Sequence, residues 1–106
     1  MNIIVKAPHI ELTDSIRSHV EQKAGKLPRY FDNVKSIEVI LDKEADKKVV
    51  EIIVTASHRN TFVASHKDED LYAAVDQCLH KIAEQLRRHK DKVRDHQGPP
   101  HSQLAG

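Results

Sequence analysis

The C-terminal third of the chain carries a long amphipathic pattern that constrains the fold more than any other feature. From about Asp70 onward, apolar residues recur at intervals of three and four, which is the spacing of one face of an α-helix. Acidic residues crowd the start of the pattern and basic residues its end, a polarity that the helix macrodipole favours. The predicted helix must bury this stripe against another layer of structure. The stripe consists of Leu71, Val75, Cys78, Leu79, Ile82, Leu86 and Val93.

Two further elements are predicted in the first part of the chain. Residues 3–7 form a short β-branched run that Pro8 ends, which indicates a strand near a sheet edge. Thr13 can cap a helix, and Gly25 followed by Pro28 marks the end of that helix. Its predicted apolar positions are Ile16, Val20, Ala24 and Leu27.

Three strands are predicted between the two helices. Residues 34–42 and 49–57 alternate between apolar and polar side chains, and a polar turn at 43–48 separates them. Residues 59–60 are predicted to turn the chain into a last strand at 61–66.

The element order β-α-β-β-β-α predicts an α+β fold. A crossover through the first helix can set the first strand parallel to the second, and the remaining strands form a meander, which gives a four-stranded mixed sheet. Because the strands alternate, one face of the sheet is strongly apolar, and we expect both helices to pack on that face. The 106 residues are expected to hold one domain, residues 1–96, and a flexible tail, residues 97–106.

Composition excludes several classes of protein. The 17 basic and 16 acidic residues nearly cancel, so the net charge of +1 does not by itself indicate a partner. The single cysteine rules out an internal disulfide and a cysteine-based zinc site. No apolar run approaches the roughly 18 residues that cross a bilayer, and no signal-peptide pattern opens the chain. We therefore expect a cytoplasmic protein without a membrane partner.

The charge is nevertheless distributed unevenly along the sequence. Residues 17–29 carry a local charge of +3 and residues 81–94 one of +4, whereas residues 68–76 carry four acidic side chains and no basic one. The folded molecule is therefore predicted to be basic on one side and acidic on another.

A basic ridge is predicted along one flank of the last helix, with members about one turn apart. Cations at this spacing can follow a phosphate backbone, with affinity supplied by counterion release. The alternative is a solvated helix face that keeps the protein soluble. Arg87 and Arg94 fall on the opposite flank. The basic ridge consists of Lys81, Gln85, Arg88 and Lys92.

Lys23 and the aromatic residues bear on the nucleic-acid hypothesis. Lys23 falls inside the predicted apolar stripe of the first helix, where an ammonium belongs only if its stem runs outward past the helix end. The alternative is a shifted register or a frayed last turn before Gly25. Only one aromatic, Phe62, lies in a predicted strand, and it faces the core. Without a stacking platform, the sequence favours a folded RNA recognised by shape and phosphates over an unpaired strand.

The sequence contains no recognisable catalytic or metal-binding motif. Its eight histidines show no zinc-ligand spacing, and its three glycines form no phosphate-binding loop. Asp76 could act as a general base, but a structural carboxylate bonded to a neighbouring backbone group or lysine is the favoured interpretation. We expect neither an enzyme nor a cofactor, and no small-molecule substrate.

The sheet face turned away from the helices is predicted to be more apolar than a solvated face requires. It would carry Ile4, Ile40, Ile53 and Val63, which could form a weak homodimer or another protein-binding surface. The alternative is that β-branched residues simply stabilise exposed strands.

Two segments resemble the signature of a known family. Residues 70–76 (DLYAAVD) and 81–92 (KIAEQLRRHKDK) resemble the last helix of the short ribosome hibernation-promoting factors, also called ribosome-associated inhibitor or sigma-54 modulation proteins. Residues 11–13 and 23–32 are similar to the start and the end of the same family's first helix. The likeness covers residues 2 to about 96.

The resemblance implies a fold, a partner and a set of contact residues. It implies a shape related to double-stranded RNA-binding domains, and a non-enzymatic inhibitor that binds the small ribosomal subunit and its RNA in the tRNA and mRNA channel during stress or stationary phase. It also implies structural roles for Asp70 and Asp76. The RNA-facing positions implied by the resemblance are Lys23, Lys26, Lys81, Arg88, His89, Lys90 and Lys92.

Two departures from the family pattern leave questions open. We expect no C-terminal dimerisation domain like that of the long members, and the tail beyond His96 resembles neither short subtype. Whether ribosomes would be paired or kept single is therefore undecided. The alternative function is a protein-binding regulator, such as a sigma-54 modulator, that acts through the open sheet face.

Overall fold

The four strands of the sheet follow one another in chain order, with both helices packed on one face of the sheet. This is a computed structural model, and it describes residues 1–29, 33–57 and 60–96, the last six as helix backbone. A short 3₁₀ turn at Leu27–Arg29 follows the first helix. The elements are β1 (Asn2–Lys6), α1 (Asp14–Ala24), β2 (Val34–Glu44), β3 (Lys47–Ala56), β4 (Thr61–Asp68) and α2 (Leu71–His96).

The strand pairing confirms the predicted mixed sheet. β1 pairs parallel with β2, with Ile3 opposite Ile37, and α1 makes the crossover between these two strands. β2 with β3, and β3 with β4, pair antiparallel in a meander. The predicted order β-α-β-β-β-α and the α+β class are both confirmed.

Apolar side chains from alternate strand positions form the floor of the core. On β2 and β3 the inward residues are fully buried, because a period of two places every second side chain on the face that the helices cover. The apolar stripe of α2 as far as Leu86 packs on this floor, and α1 closes one side of it. The Val93 side chain lies outside the described residues. The inward residues of β2 and β3 are Ile37, Val39, Leu41, Val50, Ile52 and Val54.

Both ends of α1 follow the predicted signals. The Thr13 hydroxyl accepts a hydrogen bond from the Ile16 amide at 3.2 Å, which satisfies one of the unpaired donors of the first turn. At the other end the Gly25 amide donates to the Glu21 carbonyl at 3.0 Å. A Cβ on Gly25 would lie 3.0 Å from that same oxygen, so the close approach of the backbone favours glycine here.

The strands differ in length from the prediction. The polar segment 43–48 was predicted as a turn, but it continues both strands, with Lys43 opposite Lys48 and Glu44 opposite Lys47. Only two residues then connect the strands, and Ala45 takes a φ of 57°, in the left-handed region. Cross-strand pairing thus overrides the polar composition of the segment. Arg59 of the predicted turn and the predicted tail, 97–106, lie outside the described residues.

Carboxylates organise the start of α2. The Asp70 side chain accepts from the Tyr72 amide at 3.1 Å and therefore caps the helix. The Asp68 side chain accepts from the Asp70 amide at 3.1 Å, and this hydrogen bond holds the pKa of Asp68 below its usual value. The structural role expected for Asp70 agrees with this geometry.

Cys78 lies in the core between α2 and the sheet. Its Sγ is 3.4 Å from the Ala64 carbonyl oxygen and 3.6 Å from that of Val50, either of which can accept the thiol hydrogen. Burial raises the pKa of the Cys78 thiol to about 11, with Lys81 acting in the opposite direction. The thiol is therefore a core group rather than a nucleophile.

Membrane crossing is not supported by the described helices. Neither α1 nor α2 has a segment long and apolar enough to cross a bilayer.

Neighbouring residues on β3 allow a matched test of the core. Ile52 is fully buried, whereas Ile53 points to the open face. We expect Ile52→Ala to lower the free energy of unfolding by about 2–5 kcal/mol, because it leaves a cavity. Ile53→Ala should cost roughly 1 kcal/mol or less. Urea unfolding followed by circular dichroism measures both, and equal losses would contradict the assigned faces of the strand.

The buried thiol predicts a slow reaction with disulfide reagents. Because the folded pKa of about 11 exceeds the ordinary thiol pKa of 9.0, the folded state favours the protonated thiol. The stability that Cys78 contributes is therefore complete below pH 9 and is lost as the pH rises toward 11. At pH 8, DTNB should label the native protein far more slowly than the urea-unfolded protein, and equal rates would contradict this placement.

Candidate nucleic-acid interface

One flank of α2 lies along the edge strand β4. The Lys81 ammonium donates to the Ser65 carbonyl at 2.9 Å, and the Gln85 side-chain amide donates to the Val63 carbonyl at 2.8 Å. Both carbonyls belong to the outer strand of the sheet, so the two side chains satisfy edge groups that could otherwise pair with another strand. Lys81 and Gln85 of the predicted ridge therefore have a structural task that the sequence pattern does not reveal.

Arg88 continues this flank toward the C-terminal end of α2. Its side chain is 80% exposed and forms an ion pair with Glu84, at 3.5 Å. An exposed pair four residues apart contributes little to stability, so the guanidinium can exchange this partner for a phosphate at low cost. Arg88 is therefore a ridge residue that the structure presents openly to solvent.

The remaining predicted cations of α2 have different surroundings. The His89 ring packs edge-on against Phe62, with the ring centroids 5.2 Å apart, and is half-buried. Lys90 is also half-buried. The Lys92 side chain lies outside the described residues.

The opposite flank of α2 faces α1 across an open cleft of about 320 Å³. Lys23 and Lys26 line it from the α1 side, and Arg87 lines it from α2. Among the described residues, neither lysine ammonium has a hydrogen-bond or ion-pair partner. We call this the interhelical cleft, and its lining residues are Lys23, Lys26, Leu27, Asp76, Leu79, His80, Ala83 and Arg87.

A hydrogen bond between the helices fixes the width of this cleft. His19 Nε2 lies 2.8 Å from Asp76 Oδ1, and the His19 ring packs edge-on against Tyr72 with centroids 5.0 Å apart. Asp76 is thus a structural carboxylate, as predicted, but its partner is a histidine on α1 rather than a backbone group or a lysine.

The position predicted for Lys23 is wrong. Ile16, Val20 and Ala24 are buried, and Lys23 is exposed beside them at the mouth of the cleft. The apolar stripe of α1 is narrow because the helix covers only one side of the core, so the position next to Ala24 already reaches solvent.

The basic side predicted from the charge distribution is not one continuous stripe of cations. Lys23 and Lys26 lie beside Arg87, whereas Lys81 contacts β4 on the other flank of α2. The two groups meet only over the outward side of the helix, where Glu84 pairs with Arg87 at 3.6 Å as well as with Arg88. The cations that were predicted to bind RNA therefore lie on both flanks of α2.

Sequence reasoning missed Arg87 and His80 as members of the basic surface. A signal was present, because Asp76, His80, Ala83 and Arg87 recur at intervals of four, three and four and so share one side of a helix. Without the position of α1, that side looked like ordinary solvated surface.

The two helices place opposite charges at opposite ends of the molecule. Both helices begin beside one groove, lined by Glu11 and Thr13 at the start of α1 and by Glu69 and Asp70 at the start of α2. Both then run toward the interhelical cleft, where the lysines and Arg87 lie. The predicted separation of basic and acidic surfaces is seen only in part, because Lys48 also lines the groove and Asp76 also lines the cleft.

The open face of the sheet is only partly apolar. Ile4 is 46% exposed and Val63 is 48% exposed, and Ile53 is half-buried between them. The cross-strand register puts Glu38 between Ile4 and Ile53. Because a carboxylate interrupts the row, the apolar patch is not continuous, and a homodimer through this face stays a prediction.

The described residues contain no group of three or more side chains that could hold a metal ion.

Comparison with known proteins identifies the family. A sequence profile described as sigma 54 modulation protein / S30EA ribosomal protein matches residues 3–94. The chain belongs to this family. The match includes both helices up to Arg94 and all four strands except for the first residue of β1.

Named relatives agree with this assignment. The chain is 36% identical over 98 residues to a ribosome hibernation promoting factor of Salmonella typhimurium, covering 91% of this chain and all of the relative. It is 35% identical over 92 residues to one from Azotobacter vinelandii, covering 87% of this chain and 85% of the relative. With a ribosome hibernation promotion factor of Bacillus subtilis the identity is 36%, over 88% of this chain but only 50% of the relative.

Solved structures share the fold. The Thermus thermophilus Protein Y N-terminal domain superposes with a TM-score of 0.76 at 33% identity, covering 84% of this chain and 99% of that domain. A ribosomal subunit interface protein from Coxiella burnetii gives the same TM-score at 26% identity, covering 86% of this chain and 99% of that protein.

The two contacts to β4 predict that part of the basic ridge is structural. We expect the double variant Lys81→Met/Gln85→Met to lower the free energy of unfolding by about 1–2 kcal/mol, since two hydrogen bonds to edge carbonyls are lost. Arg88→Met, on the same flank, should change it by less than about 0.5 kcal/mol. Urea unfolding measures both, and a double variant as stable as Arg88→Met would contradict the structural role.

Proposed function

We propose that this protein is a ribosome hibernation factor that binds the small ribosomal subunit in the channel used by tRNA and mRNA. Binding there would block translation by occupancy, under stress or in stationary phase. The observation that carries the proposal is family membership together with the cations on both flanks of the C-terminal half of α2. The domain proposed to bind the ribosome is residues 1–96.

The basic end of the molecule is the part proposed to meet ribosomal RNA. A segregated charge distribution orients an approaching protein, so that the end with the interhelical cleft and Arg88 faces the phosphates and the acidic groove faces away. Each phosphate contact releases condensed counterions, which supplies affinity without requiring a particular sequence. The proposed RNA-contacting residues are Lys23, Lys26, Lys81, Arg88, His89, Lys90 and Lys92.

Recognition of a folded RNA also fits the aromatic side chains. Among the aromatic residues that the structure describes, Phe62 packs edge-on against His89 and Tyr72, which is 39% exposed, packs edge-on against His19. Stacking on unpaired bases needs open aromatic faces on a sheet or groove. The contacts proposed here are therefore ionic and shape-based, and the mechanism is occupancy rather than catalysis. Because ribosomes operate in the cytoplasm, the proposal places the protein there.

A charge-matched pair of variants tests the orientation. We expect Lys26→Gln/Arg88→Gln to weaken co-sedimentation with purified small ribosomal subunits. It should also flatten the slope of log affinity against log salt by about one unit or less per lost phosphate contact. The control is Lys47→Gln/Lys67→Gln, which removes the same charge from exposed lysines that pair with Glu69 and Glu44. Co-sedimentation of the control should match that of the unaltered protein.

Two outcomes would contradict the proposal. If both double variants lose binding equally, net charge rather than a defined face controls association. If the protein's high-molecular-weight association in a lysate survives ribonuclease, the protein-binding alternative through the open sheet face is favoured instead.

A further inference from the structure

Glu84 is an acidic residue in the middle of the basic part of α2. The segment from Lys81 to Lys90 contains four lysine and arginine residues and no other carboxylate. Glu84 follows the fully buried Val75 by about two and a half helical turns, so it lies on the side of α2 that faces away from the sheet. A surface proposed to meet RNA phosphates therefore carries a negative charge near its centre.

The Glu84 carboxylate is shared between two guanidinium groups. Its Oε2 lies 3.5 Å from Arg88 Nη2, and its Oε1 lies 3.6 Å from Arg87 Nη1. Arg87 has a further interaction besides this pair. For Arg88, Glu84 is the one ion-pair partner among the residues that the structure describes. A phosphate that binds Arg88 must therefore compete with Glu84.

Helix stability gives this carboxylate only a small role. The Arg88 side chain is 80% exposed and the Arg87 side chain 54% exposed, and ion pairs between exposed residues three or four positions apart contribute little to stability. Within the described part of the chain, Glu84 forms no bond to the sheet or to α1. The main effect of its charge is therefore on an anion that approaches this side of α2.

A carboxylate at this position opposes a polyanion in two ways. It repels the phosphates that approach Arg88, and its ion pair must separate before the guanidinium can bind a phosphate. Both effects apply to every polyanion, including DNA, because neither depends on the sugar or the base. The basic side chains around Glu84 likewise attract RNA and DNA alike.

RNA can offset this cost because it carries hydroxyl groups that DNA lacks. The shallow minor groove of an RNA helix displays ribose 2′-hydroxyls, and a carboxylate accepts hydrogen bonds from such groups. A hydroxyl that donates to an ionised acceptor forms a short and strong hydrogen bond. A repulsive group that only the correct partner satisfies raises specificity, since it penalises the competing partners.

We propose that Glu84 is a specificity-determining residue of the RNA-binding surface. It lowers the affinity for polyanions that present phosphates alone, and a ribose 2′-hydroxyl of ribosomal RNA offsets its charge in the correct complex. This inference rests on the proposed function and deepens it, because it assigns to one carboxylate the selection of RNA over other polyanions.

A DNA duplex and the small ribosomal subunit separate the two effects of Glu84. Fluorescence anisotropy measures binding to a short labelled DNA duplex at low salt, and co-sedimentation measures binding to purified small subunits. We expect Glu84→Gln to raise the affinity for the DNA duplex about threefold to fivefold, the effect of one exposed charge interaction. The rise should shrink as added salt shortens the Debye length. The affinity for small subunits should change by less than about twofold.

A matched control removes a carboxylate at the other end of α2. Glu44→Gln changes the net charge by the same amount, but Glu44 pairs with Lys67 and lies opposite Lys47 in the hairpin beside the start of the helix. It should raise the affinity for the DNA duplex far less than Glu84→Gln does. The gain from Glu84→Gln should also be smaller when Arg88 is already replaced by glutamine, because no ion pair then has to separate. Circular dichroism checks that each variant is folded.

Three results would overturn the role of Glu84. They are an unchanged DNA affinity in Glu84→Gln, an equal rise in Glu44→Gln, and a rise in affinity for small subunits as large as the rise for DNA. If the unaltered protein co-sediments with small subunits and one of these results is seen, only the role of Glu84 is rejected. If the unaltered protein does not co-sediment, the proposed function fails, and this inference fails with it.

Discussion

The packing of α2 on the sheet is the contact on which the rest of the structure depends. Val75, Ile82 and Leu86 are fully buried against the inward face of β2 and β3. Burying side chains of this size contributes roughly 1.5–3 kcal/mol each, the largest favourable contribution available to a small domain. Packing this stripe in the core fixes the rotation of α2 about its own axis. It therefore also fixes the side of the helix on which each basic residue lies.

That rotation places some cations of α2 beside the edge strand β4 and others beside α1. Lys81 and Gln85 donate hydrogen bonds to carbonyls of β4, whereas the Arg88 side chain on the same flank is openly exposed. On the other flank Arg87 meets the lysines of α1 across the interhelical cleft. Exposed cations and side chains that bond to a sheet edge therefore share one short segment of helix.

The orientation of α1 relative to α2 creates the polarity of the molecule. Because both helices start at the same groove, Glu11, Glu69 and Asp70 lie there, whereas Lys23 of the last turn of α1 lies at the cleft with Arg87 of α2. The hydrogen bond between His19 and Asp76 fixes this arrangement at the middle of the helix pair. A protein with a net charge of +1 can in this way present a strongly basic surface to a polyanion.

The sequence alone determined the element types, their order and most of the buried residues, because periods of 2 and 3.6 are local properties that a hydrophobic core preserves. It also identified the Thr13 cap, since a cap acts within a few residues. It could not determine where the strands that flank Ala45 end, because pairing between Lys43 and Lys48 depends on a partner strand. Nor could it show that the Lys81 ammonium donates a hydrogen bond to a carbonyl of β4, or that Lys23 lines the same cleft as Arg87. Those outcomes depend on the relative placement of elements far apart in the chain, which only the packing of both helices on the sheet decides.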